Sequence, residues 1–391
     1  MIIYNEEDKL WAGQVREKIK EKISSQHDRI GSSVPFFAAN GQYTDKMADS
    51  IYWWTNGFWP GMLWIMYHST GEEKYLKTAR IIEERLDSAL AGFEGLHHDV
   101  GFMWILTSVL DWRLTGDKTA RKRALHAANI LAGRYNPRGK FIRAWNLTPG
   151  SFADMVSAQN RDCTGWIIVD CMMNLPLLYW ASEQLKDPRF AFIAGDHADT
   201  ALKNLVREDG SCNHIAVLDP NNGMLLETPA GQGYASGSSW TRGLAWALYG
   251  FAITFRLSGE SRYLEAAKRI ARYFCTEVMR YSYIPPVDFR APLDPQIIDT
   301  SAGSIAACGL LTLEEITQGD EAGFFAKEAV SILKAIEVSH CNWDISKDGL
   351  VENATSQYHG RINERHVPII YGDYYFMEAI HRLCGMDLKI W

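Results

Sequence analysis

Hydrophobic and polar positions divide the chain into segments of helical length. A helix without a polar face is a buried one, and six segments are apolar nearly all round: 58–69, 100–114, 171–185, 241–257, 302–317 and 373–384. Amphipathic, charged segments such as 75–86 and 263–274 follow these apolar ones and predict helices with one face in water. Residues 6–23 predict one more amphipathic helix at the start of the chain.

A recurring turn signal joins each apolar segment to the amphipathic segment after it. Glycine suits the left-handed residue that ends a helix, and acidic residues or proline suit the first turn of the next. We therefore predict an all-α fold, an (α/α)6 barrel of six inner and six outer helices, with residues 1–391 forming a single catalytic domain. A plain α-solenoid is the alternative, but it does not require the last helix to be as apolar as the central ones. The turn signals lie at 69–76, 114–118, 185–190, 257–264 and 317–320.

Composition and charge exclude several classes of function. A net charge of -7 at pH 7 argues against a nucleic-acid partner, which would need a basic surface. No apolar run approaches the length of a membrane span, and the first residues show no secretory signal. The seven cysteines contain no CxxC pair, and several lie in apolar helical segments, so they are predicted to be reduced core thiols. We expect a cytoplasmic protein.

The residues that open the inner helices differ from those at the opposite turns. Tryptophan, histidine, aspartate and arginine collect at this one level, whereas the opposite turns carry glycine and solvated charge. Tryptophan faces stack on sugar rings, and aspartate, histidine and arginine bind hydroxyls and carboxylates. The sequence thus predicts a sugar-handling site at one rim of the barrel. The stretches concerned are 53–59, 97–102, 168–171, 238–243, 299–302 and 371–375.

Two aspartates are the candidate catalytic residues. Asp170 lies between two apolar triplets, 167–169 and 171–173, and such a setting raises a carboxyl pKa and keeps the group protonated near neutral pH. Asp99 follows two histidines and precedes an apolar helix. Either residue could instead be a helix N-cap. Two carboxylates on one rim are what acid–base chemistry on a glycoside requires.

The other charged residues of the rim allow more than one interpretation. His97 and His98 match no zinc spacing and would point apart on a helix, so no metal is predicted. Asp299 and Asp373 are predicted to be caps or structural hydrogen-bond acceptors. Arg242 could pair with a buried carboxylate or bind an anionic substrate.

Taken together, these stretches resemble the unsaturated glucuronyl hydrolases, glycoside hydrolase family 88. The resemblance implies an (α/α)6 barrel without a cofactor that removes the Δ4,5-unsaturated uronic acid from lyase-generated oligosaccharides. It implies that Asp170 is the general acid/base, which protonates C4 of the enol-ether bond and helps deliver water to C5, and that Asp99 positions the substrate. The matching stretches are 54–59, 97–102, 167–171 with Asn174, 231–233, 239–243 with Trp246, 299–302 and 372–375.

The resemblance also implies a set of substrate-contacting residues and one partner, the unsaturated uronyl oligosaccharide. His214 would act together with Asp170 in acid/base catalysis. The protein is expected to be a monomer or a homodimer. The implied substrate-binding residues are Trp54, His98, Phe102, Trp145, His214, Gln232, Trp240, Arg242, Trp246, Tyr358 and Arg361.

The chain departs from the family pattern in three places. Gly231 stands where close relatives carry a histidine before the glutamine, and Asn146 stands where a glycine is usual. The stretch 358–366 differs in sequence and length, in a region that helps the family choose between sulfated and unsulfated sugars. Within it, Arg361 and Arg365 could meet a sulfate or carboxylate or be solvated loop charges, and Arg365 is the one predicted to be solvated.

Other functions are possible on the same fold. An unsaturated rhamnogalacturonyl hydrolase would share the hydration chemistry. An N-acylglucosamine 2-epimerase would need two histidines as acid and base, for which only His214 and His359 are available. A non-catalytic sugar-binding protein is the third alternative, and the presence of both carboxylates counts against it.

Overall fold

In a computed structural model, which describes residues 5–146 and 162–391, twelve helices of the described residues form the barrel. The outer helices are α1 Glu6–Ile30, α3 Glu73–Gly92, α5 Lys118–Ala132, α7 Arg189–Leu205, α9 Ser261–Met279 and α11 Gly319–His340. The inner helices are α2 Phe58–Thr70, α4 (Val100–Trp104, the π-helical Ile105–Val109 and Leu110–Thr115), α6 Leu175–Leu185, α8 Thr241–Ser258, α10 Thr300–Ile316 and α12 Ile370–Leu383. Helix α12 packs against both α1 and α2. This contact closes the ring and confirms the (α/α)6 barrel over the solenoid.

Burial follows the predicted alternation. Residues 300–313 of α10 are all buried, whereas α9 buries only one stripe, which includes Ile270 and Phe274. Three turns end an inner helix with a left-handed glycine, as predicted: Gly71, Gly116 and Gly259. Lys186 takes that conformation after α6, and Gly319 instead begins α11.

Short strands, which the helical pattern does not predict, lie in the loops that enter the inner helices. They are β1 Ala38–Ala39, β2 Gln42–Tyr43, β3 Tyr135–Asn136, β4 Phe141–Ile142, β5 Trp166–Ile168, β6 Ile215–Leu218 and β7 Leu225–Glu227. Strands β5 and β6 are antiparallel, with Ile168 opposite Ile215, and β7 extends this sheet. The pairing brings the residue after β5 next to the residue before β6, since Val169 N–H donates to the His214 carbonyl.

One apolar core runs through the barrel, and a smaller one lies around the β5–β6 pair. None of the described helices has an apolar stretch long enough to cross a bilayer. Four short helices complete the described loops: Lys46–Asp49, Trp54–Gly57, Val169–Met173 and Ile362–Glu364.

Candidate active site

Asp170 lies in the short 3-10 helix Val169–Met173, between β5 and α6. Asn174, not Asp170, holds the N-cap position of α6, so the interpretation of Asp170 as a cap is wrong. Its Oδ1 is buried without a hydrogen-bond partner, and 15% of its side chain is exposed. Burial, followed by the negative charge of Asp99, raises the pKa of Asp170 to about 8. At neutral pH Asp170 is therefore a protonated acid.

His214 faces Asp170 from the start of β6. Its Nε2 lies 3.8 Å from Asp170 Oδ1. The backbone N–H of Gln232 donates to His214 Nδ1 at 2.9 Å, so the neutral ring carries its proton on Nε2. Burial, followed by the charge of Arg242, lowers the pKa of His214 to about 3. His214 is thus neutral, and its Nε2 faces Asp170 Oδ1 without a hydrogen bond at this distance.

Asp99 holds the N-cap position of α4 but makes no capping hydrogen bond. Its Oδ2 lies 3.1 Å from His97 Nδ1 and 3.4 Å from His98 Nε2, and its Oδ1 accepts from Asn174 Nδ2 at 3.1 Å. Burial alone would raise the pKa of Asp99, but His98 and His97 outweigh it and hold that pKa well below its usual range. Asp99 is therefore ionised; it occupies the N-cap position, as the cap interpretation predicts, but its side chain does not cap the helix.

The two histidines before Asp99 do not point apart, because they precede the helix instead of lying on it. Ligand atoms of His97, His98 and Asp99 all lie within 4.8 Å of one another, so this group, among the residues that the structure describes, could hold a metal ion. The geometric reason for excluding a metal is therefore wrong, whereas a metal-free site stays a prediction.

Asn174 connects the two aspartates. Its Nδ2 donates to Asp99 Oδ1 and to the Asp170 carbonyl at 3.2 Å, and its Oδ1 accepts from Phe102 N–H at 2.8 Å. A Cβ on Gly101 would lie 2.5 Å from Asn174 Cα, so only glycine allows this approach. Asn174 is not among the predicted site residues; the signal for it in the sequence is an amide one turn after Asp170.

Aromatic rings surround the carboxylates at two depths. Trp54 stacks on Tyr371 with centroids 5.2 Å apart and lies 5.4 Å from Phe102. Phe102 is also 5.1 Å from Trp246, and both of these rings are fully buried. Phe102 therefore packs beneath Trp54, and Trp246 packs against Phe102. Neither of these two buried rings reaches the cleft.

Arg242 lies between the rings of Trp240 and Tyr371, at 4.7 and 5.0 Å. It pairs with Asp299 at 2.6 Å and donates to the Thr355 carbonyl at 2.6 Å. The interpretation of Arg242 as the partner of a buried carboxylate is confirmed. Asp299 also caps α10 by accepting from Ser301 N–H, as predicted.

Asp373 is a structural acceptor, as predicted. It receives the backbone N–H groups of Leu350 and Val351 and the Tyr43 hydroxyl. These bonds fix the chain that leads into α12.

A cavity of about 470 Å³ opens beside these residues. Asp170 is not among its lining residues. Gln232, which lines the cavity, contacts His214, and His214 faces Asp170. Three of the lining residues, Trp54, Gln232 and Arg361, are among the predicted substrate-binding residues, and Trp53 and Tyr371 lie in the predicted rim stretches. The lining consists of Phe36, Phe37, Thr44, Lys46, Asp49, Trp53, Trp54, Gln232, Ser356, Gln357, His359, Gly360, Arg361, Asn363, Glu364 and Tyr371.

The loop before α12 closes one side of this cavity. Tyr358 N–H donates to the Gln232 carbonyl, and Arg365 donates to the Tyr358 carbonyl at 2.5 Å. Arg365 is therefore a loop brace, and its prediction as a solvated charge is wrong. Arg361 is exposed at the mouth, and His359 is exposed and bound to the Tyr234 carbonyl, so His359 does not pair with His214 as an epimerase would need.

Trp145 belongs to the smaller apolar core, 5.8 Å from Trp166 and 3% exposed. Asn146 after it donates to the carbonyls of Glu94 and Leu96 and accepts from Arg134. This departure from the family pattern therefore braces the loop that leads into His97–Asp99.

The departure at Gly231 is required by His214. Gly231 has a φ of 59°, and a Cβ there would lie 1.9 Å from His214 Nδ1. We expect Gly231→Ala to displace the imidazole and reduce kcat by roughly tenfold or more, because a shift of about 1 Å in a catalytic group has effects of this size. Initial rates on an unsaturated disaccharide would measure this.

Gly237→Ala is the matched control for Gly231→Ala. Gly237 has a φ of 78°, but nothing lies within 4 Å of its Cβ position. The control therefore carries the same kind of backbone strain without the contact on His214. Equal losses in the two variants would contradict the role given to Gly231.

A protonated buried carboxylic acid, an ionised carboxylate and a stacked tryptophan at one rim of an (α/α)6 barrel define a glycoside-cleaving enzyme. Comparison with known proteins identifies the family. The model of Glycosyl Hydrolase Family 88 matches residues 28–383, and the chain belongs to this family of hydrolases.

Curated relatives and solved structures agree with this assignment. An unsaturated glucuronyl hydrolase of Bacillus sp. (strain GL1) is 38% identical over 339 residues, 84% of this chain and 86% of that protein. An unsaturated chondroitin disaccharide hydrolase of Streptococcus pneumoniae (strain ATCC BAA-255 / R6) is 30% identical over 378 residues, 95% and 91% of the two chains. The crystal structure of the Bacillus sp. GL1 unsaturated glucuronyl hydrolase superimposes with a TM-score of 0.86 at 34% identity, covering 95% of this chain and 96% of that one.

Proposed function

We propose that the protein releases the Δ4,5-unsaturated uronic acid from the non-reducing end of lyase-generated oligosaccharides. The observation that carries this proposal is the pair of aspartates bridged by Asn174, with Asp170 Oδ1 buried and unpartnered and Asp99 held by two histidines. An enol ether needs a proton donor at neutral pH, and an acid with a pKa of about 8 supplies one. Relatives named unsaturated glucuronyl hydrolase and unsaturated chondroitin disaccharide hydrolase support the same reaction.

The proposed reaction adds one water across the C4=C5 double bond. Asp170 gives its proton to C4, and the positive charge that forms at C5 is shared with the ring oxygen. The Asp170 carboxylate then takes a proton from the water that attacks C5, which restores the acid. The resulting hemiketal opens and expels the next sugar, so no displacement at the anomeric carbon is needed.

Two other groups assist this step. The N–H of His214, on Nε2, faces Asp170 and stabilises the carboxylate once the proton has left. The negative charge of Asp99 is, after burial, the largest cause of the raised pKa of Asp170. We propose that the same charge stabilises the cation at C5. Trp54 is 9% exposed, more than Tyr371 and Phe102 of the same aromatic stack, and it lines the cavity, so it is the surface on which we place the unsaturated ring.

We assign the sugar that follows the uronic acid to the 470 Å³ cavity, because Gln232 lines this cavity and its N–H is bonded to His214, which faces Asp170. The cavity offers aromatic faces from Phe36, Phe37 and Trp53. A related hydrolase has been solved with dGlcA-Glc-Rha-Glc, at a TM-score of 0.86 and 34% identity over 94% of this chain. That ligand supports a cavity which takes more than one sugar unit.

We propose that this single domain works in the cytoplasm, as a monomer or homodimer. Buried thiols at Cys171, Cys275 and Cys308 support a reducing compartment. The continuous apolar core of the barrel supports the single domain.

The test is the loss of ultraviolet absorbance of the conjugated double bond. Unsaturated disaccharides from chondroitin, hyaluronan, heparin, ulvan and gellan-type chains would be incubated with the protein, and the rates ranked. We expect absorbance to fall with at least one of them, and the ranking gives the sugar preference. If none loses absorbance, the proposed function fails at the level of chemistry.

A further inference from the structure

The barrel is closed at the end opposite the site by the segment that follows α12. The ring of Trp391 stacks on Tyr375 of α12, with an interplanar angle of 15° and centroids 6.0 Å apart. It also meets Tyr249 of α8 at 6.3 Å and Phe102 of α4 at 5.9 Å. Helices α4, α8 and α12 are every second inner helix, so a ring that touches all three lies on the barrel axis.

Hydrogen bonds from four inner helices hold this segment in place. Trp391 Nε1 donates to Glu378 of α12 at 2.9 Å, and Arg256 of α8 donates to the Trp391 carbonyl at 2.8 Å. Arg113 of α4 donates to the Ile390 carbonyl at 2.7 Å. Lys389 pairs with Glu315 of α10 at 2.9 Å. Charged groups on the barrel helices thus converge on a five-residue stretch, 387–391.

Trp391 is connected to the active site through one residue, Phe102. The Phe102 ring, which it contacts, also contacts Trp54 and Trp246. The Phe102 N–H fixes Asn174, whose amide reaches both Asp99 and the Asp170 carbonyl. Trp391 is 3% exposed and Phe102 is fully buried, so the Trp391 ring covers Phe102 on the side that faces the closed end.

We propose that Trp391 is a positioning residue, which seals the far end of the barrel and fixes Phe102 beneath the catalytic carboxylates. The inference concerns the reaction given under the proposed function and rests on it for its kinetic consequences. Its structural consequence, protection of the Phe102 N–H, does not depend on what the substrate is.

The test compares Trp391→Ala with Trp391→Phe. We expect Trp391→Ala to lower kcat by roughly ten- to hundredfold with a smaller change in KM, because Asn174 and both aspartates lose their support. Water entering below Asp170 would also move the alkaline limb of the kcat/KM profile to lower pH. Trp391→Phe keeps a ring on the axis and is expected to restore most of kcat and the position of the limb.

Amide hydrogen exchange of the peptide that contains Phe102 is the readout that needs no substrate. It is expected to be faster in Trp391→Ala than in wild type. Phe325→Ala, which makes a cavity in outer helix α11, controls for general destabilisation. If Trp391→Ala does not fold, Trp391→Leu replaces it, since leucine keeps apolar bulk without the ring.

The outcomes separate the two proposals. Unchanged exchange, kcat and pH limb in the Trp391 variant would overturn the inference, as would the same changes in Phe325→Ala. A wild-type protein inactive on every unsaturated disaccharide would remove the proposed function, while faster exchange in Trp391→Ala would still support the seal.

Discussion

Asp170→Asn is expected to lower kcat by about a thousandfold or more while KM for an unsaturated disaccharide changes little. The amide keeps the shape of the side chain but has no acidic proton, and general acid–base catalysis contributes typically 10²–10⁴-fold. Loss of absorbance by the double bond measures the rate. Asp320→Asn, an exposed change at the start of α11, is the matched control and should behave as wild type.

The same variant should be more stable than wild type, and increasingly so as the pH rises. The folded-state pKa of Asp170 is about 8, above that of an unfolded aspartate. Between about pH 4 and 8 the folded protein therefore keeps a proton that the unfolded chain has already released. Stability from the neutral acid is present below pH 4 and is lost as the pH rises towards 8. An asparagine has no such loss, so thermal unfolding at pH 8 should show a Tm several degrees higher.

The kcat and the Tm of Asp170→Asn are interpreted together, because a loss of activity alone does not distinguish lost catalysis from unfolding. A variant that lost activity by unfolding would have a lower Tm. A variant with at least a tenth of wild-type kcat would contradict the assignment of Asp170 as the acid. The combination of lost turnover and raised stability is what removal of a buried catalytic carboxyl group produces.

Sequence periodicity was sufficient for the barrel. Twelve helices are long, and each carries either an apolar surface all round or a single apolar stripe, so the inner and outer layers follow from burial alone. Boundaries shifted by a few residues where caps decided them, as at α6, which begins at Leu175 and not at 171.

The arrangement of the site depended on contacts that periodicity does not encode. Strands β5 and β6 are only three and four residues long, yet their pairing brings Asp170 to His214. The apolar neighbours of Asp170 did predict its raised pKa, because burial is a local consequence of those neighbours. The lowered pKa of Asp99 could not be predicted in the same way, since its cause is the orientation of two histidine rings in a loop.

The substrate-binding residues that the family resemblance implies lie at two different depths in the structure. Trp54, Gln232 and Arg361 line the cavity, whereas Phe102 and Trp246 are buried beneath it. A position in a motif specifies the helix and the turn on which a residue lies. It does not specify whether the side chain touches a ligand or holds another side chain that does.

Asp99→Asn is expected to change the pH dependence of the reaction as well as its rate. The negative charge of Asp99 is the second largest cause, after burial, of the raised pKa of Asp170. Removing it should move the alkaline limb of kcat/KM, which reports the free enzyme, from about pH 8 to lower pH. We also expect kcat at its optimum to fall by about 10²–10³, because the charge that stabilises the cation at C5 is lost.

Asn174→Leu separates the charge of Asp99 from its position. This variant removes the amide that holds Asp99 Oδ1 but leaves the carboxylate and its two histidines in place. We therefore expect kcat to fall while the alkaline limb stays near pH 8. If the limb moved equally in both variants, hydration of Asp170 and not the Asp99 charge would be the cause. If it moved in neither, the electrostatic coupling of the two carboxylates would be refuted, because desolvation alone would then set the pKa of the acid.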